Sequence, residues 1–411
     1  MPTNRAYSNP YGDDKVMAAC AIFGMMDRSG RRFIGDPVVT AIANMHERGN
    51  GLGGGFAVYG LYPGYESYYA FHIFYMDADA RPRMEALLKR RFRLELAEEV
   101  PTRETAGVKD APLVWRYFLA VEGRQPAGYT EDEYVVSQVM QINSTFEDGF
   151  VVSSGKNLGV FKGVGYPEQM AEFFRLESYR GYLWTAHARF PTNTSGWWGG
   201  AHPFNLLDWT VVHNGEISSY GINRRYLEMY GYQCTMETDT EVLAYAVDLL
   251  VRRHGLPIEL AAKVMSPPLW SEINELPDPE RRELYAMLRQ VYPSLLMNGP
   301  FAIVIGHTGE MVGLTDRIRL RPLLAAVSGS LMFLSSEESA IYRVSPNLDE
   351  TWTPLGGQPV IGRLYPEAAQ AESRRAKVAL PWLATESAAP GVAAPGVAAP
   401  QPAAARQAAA R

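Results

Sequence analysis

The sequence predicts a mixed α+β fold followed by a tail that does not fold. Two observations carry this. Strand-like and helix-like stretches alternate from about residue 18 to about residue 365, and none shows the Gly-rich strand–turn–helix of a dinucleotide fold. After about residue 380 the chain becomes A-A-P-G-V-A-A-P-G-V-A-A-P-Q-P-A-A-A, a composition that cannot bury a core.

The bulk properties narrow the function classes. The 411 residues are 47% hydrophobic and 20% charged, enough for one large domain or two ordinary ones. The net charge of −6 and the pI of about 5.8 leave no basic footprint for nucleic acid. No apolar run approaches the roughly 20 residues of a membrane helix. Cys20 and Cys234 are too few for a disulfide framework, which fits a reducing cytoplasm, where a lone cysteine is a candidate nucleophile. No metal-ligand spacing such as C-x-x-C or H-E-x-x-H occurs, so no metal is expected.

Taken in order, residues 1–19 are polar and turn-rich, without the apolar core of a secretory signal. Residues 18–26 read as a buried strand. Asp36–Glu47 has helical spacing, with Val38, Ile42 and Met45 on one face and Pro37 in the first turn. The glycine-rich run 49–55 lacks the Lys-Ser/Thr of a phosphate loop and reads as close backbone packing. Residues 67–76 form a strand, 79–99 a charged helix and 113–121 a strand. Thr130–Ile142 is a helix capped by Thr130 with Glu133 three residues later. Residues 78–148 thus read as a small α+β insertion. Short strands follow at 149–162, a helix at 166–177, and a strand at Tyr182–Ala188 that delivers Arg189. Further helices are expected at 222–231, 240–253 and across much of 257–294, with strands at 300–306, 310–315, 323–327 and 331–334.

The chemistry concentrates between Trp184 and Leu243: W-T-A-H-A-R-F-P-T-N-T, A-H-P-F, V-V-H-N-G-E-I and E-T-D-T-E-V-L. These groups suit a free amino acid bearing a side-chain amide. Arg189 can clamp an α-carboxylate with two parallel N–H bonds. Asp239 can receive an α-ammonium, although a carboxylate here also suits a helix N-cap. The Asn214 amide and the Gly215 N–H can stabilise an oxyanion, although Asn-Gly is also a common hairpin turn. Thr192 and Asn193 fall on a turn beside Arg189, and His202 suits either a pocket or a packing position. His187, His202 and His213 lack a carboxylate or thiolate at metal-site spacing. These motifs contain no cysteine; the best candidate nucleophile is Cys20, upstream in A-A-C-A-I-F-G.

C-x-I-F-G, H-x-R-F-x-T-N-T, H-N-G-E-I and T-D-T-E, in that order, resemble a class II glutamine amidotransferase, closest to the amidotransferase part of glutamate synthase-like enzymes. N-G-P-F-A-I at 298–303, D-R-I-R-L-R-P-L at 316–323 and S-S-E-E-S-A at 335–340 agree. The resemblance implies the four-layer α/β/β/α sandwich of the N-terminal-nucleophile hydrolases over residues 20–380, with 381–411 a disordered tail. It also implies glutamine as substrate and Cys20 as nucleophile, with Asn214 and Gly215 forming the oxyanion site. Arg189, Thr192, Asn193, His202 and Asp239 would then bind substrate, and Arg48-Gly49 would support the nucleophile. The α-amine of Cys20 would serve as base, so residues 1–19 would be removed as a propeptide. The family's usual glycine after the cysteine is here Ala21, whose methyl adds bulk beside the nucleophile.

The resemblance further implies a cytoplasmic subunit with no cofactor of its own, partnered by flavin (FMN) and iron–sulfur synthase subunits, with no nucleic-acid or membrane partner. Assemblies that make N-methylglutamate, with methylamine as acceptor, are included. Two alternatives are a free-standing amidohydrolase of the same fold and a silent regulatory or scaffold subunit.

Overall fold

A computed structural model describes residues 19–190 and 196–377. Two antiparallel sheets form the centre. The larger runs Glu350–Trp352, Leu324–Ser328, Leu331–Ser335, Ala21–Asp27, Leu183–Ala188, Gly54–Tyr59 and Leu158–Gly163 in spatial order. The smaller runs Phe204–Leu206, Trp209–Gly215, Phe301–His307, Glu310–Thr315 and Val360–Arg363. The sheets pack face to face: Ile22, Met26, Leu183 and Leu334 from one share a buried cluster with Val212, Val304 and Met311 from the other. At Gly24 they come so close that a Cβ would lie 2.7 Å from the Met311 sulfur.

Helices cover both outer faces. Asp36–Ala43, which turns Val38, Ala41 and Ile42 inward, lies against Ala21–Asp27 and Leu183–Ala188. Asp239–Val247 lies against Trp209–Gly215. The order is therefore helix, sheet, sheet, helix. Strands enclosed in this way are apolar on both sides, which is why A-I-F-G-M-M-D is buried at every position.

A separate four-stranded sheet, ordered Arg93–Glu99, Leu113–Ala120, Tyr69–Tyr75 and Gly149–Ser153, carries the helices Ala80–Arg91 and Glu131–Thr145. The second helix has the expected capping box between Thr130 and Glu133. Two of the strands lie outside 78–148, so the segment is built into its flanks rather than hung between them.

Several expectations are corrected. The helix expected over 79–99 stops at Arg91, and Arg93–Glu99 is a strand paired with Leu113–Ala120. The helix expected over 166–177 is Pro167–Phe173, ended by Arg175 at φ +55° and followed by a single tight turn. The helix expected over 240–253 is α-helical from Asp239 to Val247 and widens to a π-helix from Asp248 to Arg253. The tail expected at 381–411 and, but for Ala19, the leader expected over residues 1–19 lie outside the described residues. No described helix is long and apolar enough to cross a membrane.

Candidate active site

Cys20 immediately precedes the strand Ala21–Asp27. The antiparallel register pairs Ala21 with Ala188, and this carries Arg189 and Phe190 alongside Cys20 from 170 residues away. The Cys20 Sγ accepts the Phe190 N–H at 3.2 Å and faces its carbonyl oxygen at 3.7 Å. Burial pushes the thiol above its ordinary range. The Phe190 N–H and the Arg189 charge pull it down, Asp239 pushes it up and Arg321 pulls it down. Cysteine, guanidinium and carboxylate therefore share one electrostatic environment. Ala21 is fully buried and in regular register, so its methyl is taken up by the core.

Arg189 is held by backbone: its N–H donates to the Gly53 carbonyl at 2.8 Å, and its carbonyl accepts from Asn50 N at 3.3 Å. A Cβ on Gly53 would stand 2.9 Å from the Arg189 Cδ, and one on Gly55 would stand 2.3 Å from the His202 carbonyl oxygen. The glycine run is thus the backbone that closes around these residues. Arg48 Nε donates to the Cys20 carbonyl at 3.2 Å, and its Nη1 meets the Glu337 carboxylate at 2.9 Å. Gly49 lies against Ala188 and the Arg189 carbonyl.

Asp239 opens its helix, but the N-cap is Thr238, whose side chain accepts the Glu241 N–H. Asp239 is therefore not needed as the cap. Its Oδ2 accepts the Ile217 N–H at 2.9 Å, and its Oδ1 accepts from Thr240 Oγ1 at 3.2 Å and lies 3.5 Å from His213 Nδ1. Burial pushes this carboxyl up, but His213 and these hydrogen bonds outweigh it and hold it below the usual range, so it is an anion at neutral pH.

Asn214 and Gly215 are not a hairpin turn. They end the strand Trp209–Gly215, paired with Ala302 and Phe301. Gly215 has φ +142°, and a Cβ there would fall 1.9 Å from the Pro300 carbonyl oxygen, so only glycine fits. The Asn214 Nδ2 donates to Ser336 Oγ at 3.3 Å, while Oδ1 is buried without a partner among the described residues.

The three histidines do come together. His187 stacks on His202 with ring centres 4.0 Å apart, and Thr240 Oγ1 bridges His202 Nε2 at 3.1 Å and His213 Nδ1 at 3.2 Å. Burial lowers His187 to about 3 and His202 well below its ordinary value, so both rings are neutral at pH 7. His202 is thus a packed residue one side chain from Asp239. No group of three or more His, Cys, Asp or Glu arranged to hold a metal occurs among the described residues.

Beside the histidines lies the segment from Gly196 to Gly200. Its tryptophans point inward: Trp198 is buried against Phe74 and Phe173, and Trp197 packs on Phe150. Thr192 and Asn193 lie outside the described residues. Two buried groups near this segment were given no role by the sequence reading, although Glu241 closes the T-D-T-E motif. Lys162 donates to the Gly199 carbonyl at 2.9 Å, and burial pushes its amine down to about 7. Glu241 accepts from Met236 N, Thr235 N and Tyr245 Oη, and burial pushes its carboxyl up to about 7. Ser336 and Glu337 were visible only as part of a late motif.

Two facing antiparallel sheets between helices are the layered arrangement of the N-terminal-nucleophile hydrolase fold. The sequence matches the family "Glutamine amidotransferases class-II" over residues 98–350. The chain belongs to that family. It is 56% identical over 355 residues to an uncharacterized protein of Archaeoglobus fulgidus, covering 85% of this chain and 94% of that one. It is 26% identical to glutamine–fructose-6-phosphate aminotransferase of Vibrio cholerae (51% of this chain, 32% of that one). It is also 26% identical to the glutamate synthase [NADPH] large chain of Bacillus subtilis (58% and 17%). The chain therefore spans a third or less of these last two proteins.

Proposed function

We propose that this class II glutamine amidotransferase releases ammonia from the glutamine side chain through Cys20, as a subunit of a glutamate synthase-like assembly. The observation that carries the first part is the shared environment of Cys20, Arg189 and Asp239. Arg189 holds the α-carboxylate and Asp239 the α-ammonium of glutamine. The Cys20 sulfur bonds to the side-chain carbonyl carbon, and the negative oxygen rests on Asn214 Nδ2–H and the Gly215 N–H. The C–N bond then breaks, ammonia leaves, and water resolves the thioester to glutamate.

A thiol raised by burial is not a resting thiolate, so its proton must be removed during attack and returned to the leaving nitrogen. The α-amine of Cys20, freed by removal of residues 1–19, has the pKa for this, about 7.7–8.0. Intact mass and N-terminal sequencing of active native protein test it: Cys20 as first residue is expected, and Met1 or Pro2 on fully active enzyme would sink it.

Similarity to a glutamate synthase large chain supports the second part. In such an assembly FMN and iron–sulfur clusters would sit in partner subunits; the two cysteines in this sequence, Cys20 and Cys234, are too few for a four-thiolate cluster. A cytoplasmic location suits these free thiols. Co-purification from the native source, followed by amide-¹⁵N glutamine, tests the acceptor. Label is expected in the α-amino group of glutamate formed with 2-oxoglutarate. N-methylglutamate formation from added methylamine would assign the methylamine branch. Label in an amino sugar or only in free ammonia, unaffected by co-purifying proteins, would overturn the synthase reading.

A further inference from the structure

We infer that Ser336 is a positioning residue for the oxyanion donor, tying the Asn214 amide to the strand that carries Cys20. The inference rests on the cysteine mechanism proposed above and names a residue that acts through Asn214.

Ser336 follows the strand Leu331–Ser335 and is 2% exposed. Its Oγ accepts the Ile22 N–H at 3.1 Å and the Asn214 Nδ2–H at 3.3 Å, and its own N–H donates to the Ile22 carbonyl at 3.0 Å. Ile22 and Asn214 belong to different sheets, so one side chain bridges the layers two residues from the nucleophile. A hydroxyl oxygen has two lone pairs, and here both are taken by donors.

The orientation of the Asn214 amide depends on this bond. The last torsion of asparagine is broad and roughly two-fold, so its own rotamer does not fix which face carries the NH₂. Its Oδ1 is buried without a partner among the described residues, so that end does not hold it either. The bond to Ser336 occupies one Nδ2–H and leaves the second for the developing oxyanion. It also sets the donor's depth relative to the Cys20 strand, the distance that matters when the sulfur–carbon bond forms. A donor held before the reaction need not reorganise during it. The next residue completes the arrangement: Glu337 binds Arg48, which holds the Cys20 carbonyl.

The test is a double-mutant cycle read by glutaminase kinetics. Ser336→Ala should lower kcat by about 10–100-fold, less than loss of a whole oxyanion donor, with KM within about twofold. Alkylation of Cys20 by iodoacetamide, which needs no oxyanion site, should proceed at the wild-type rate. Ser336→Thr, which keeps the hydroxyl, should recover most of the loss. In an Asn214→Ala background, Ser336→Ala should cost less than about twofold more, because the group it orients is gone. Additive losses in the cycle, or kcat, KM and alkylation falling together, would show a structural role only and overturn the inference. The cycle is read in chains of wild-type circular dichroism and melting temperature. If Ser336→Ala misses that standard, the Ser336→Thr pair supplies the cycle, and a Thr variant with wild-type geometry but a tenfold lower kcat overturns it. Full activity of Cys20→Ala would instead sink the cysteine mechanism.

Discussion

Lys162 donates to the carbonyl of Gly199 at 2.9 Å, and the next residue, Gly200, lies against the Arg189 guanidinium. The bond ties Leu158–Gly163, the edge strand of the larger sheet, to the segment beside the candidate glutamine site. Because burial holds this amine near 7, the folded chain releases its proton well before the unfolded chain, where lysine titrates near 10.4. Between about pH 7 and 10.4 the unfolded state binds more protons, so this group's contribution to stability rises with pH. Below 7 the cost of burying the charge is constant. Lys162→Met removes the term: wild type should gain stability relative to the variant between pH 7.5 and 9.5. Urea midpoints across that range measure it; parallel curves would contradict it.

Arg189→Lys keeps the charge but loses the planar fork. With a charged hydrogen bond contributing about 1.5–3 kcal/mol, kcat/KM for glutamine should fall about 10–100-fold, mostly through KM. Turnover of a simple carboxamide without α-groups should not change. Equal losses on both substrates would remove Arg189 from the α-carboxylate.

Asn214→Ala should act on the chemical step. Removing one oxyanion donor lowers kcat by about 10²–10³. A variant that changes only KM counts against the role, as steady-state kinetics will show.

Gly215→Ala tests geometry rather than chemistry. Its Cβ would sit 1.9 Å from the Pro300 carbonyl oxygen at a φ of +142°. Strain alone costs about 1–3 kcal/mol, and the clash adds to it. The melting temperature should drop by several degrees; an unchanged value would mean that the strand end relaxes freely.

The sequence showed most strands because buried strands in a covered sheet are continuous apolar runs, as at Ala21–Asp27 and Phe301–His307. It misplaced Arg93–Glu99 because R-L-E-L-A-E-E suits a helix locally, and only pairing with Leu113–Ala120 makes it a strand. Cys20, Arg189, Asn214 and Asp239 stood out because their motifs keep chemical groups in short runs. Ser336 and Lys162 did not, since their meaning depends on which sheet layer or loop lies opposite. Nothing in the spacing S-S-E or F-K-G states that.

The buried indole of Trp198 has a thermodynamic consequence. An aromatic side chain of this kind buries about 150–250 Å², and at about 25 cal/mol per Å² its exposure costs about 4–6 kcal/mol. Local opening at Trp198 would then be populated at only about 10⁻³ to 4 × 10⁻⁵. The segment Gly196–Gly200 that carries it is thus held in place nearly all the time. Because the indole rests on Phe74 of the four-stranded sheet, that sheet and the segment beside Arg189 would loosen together rather than separately.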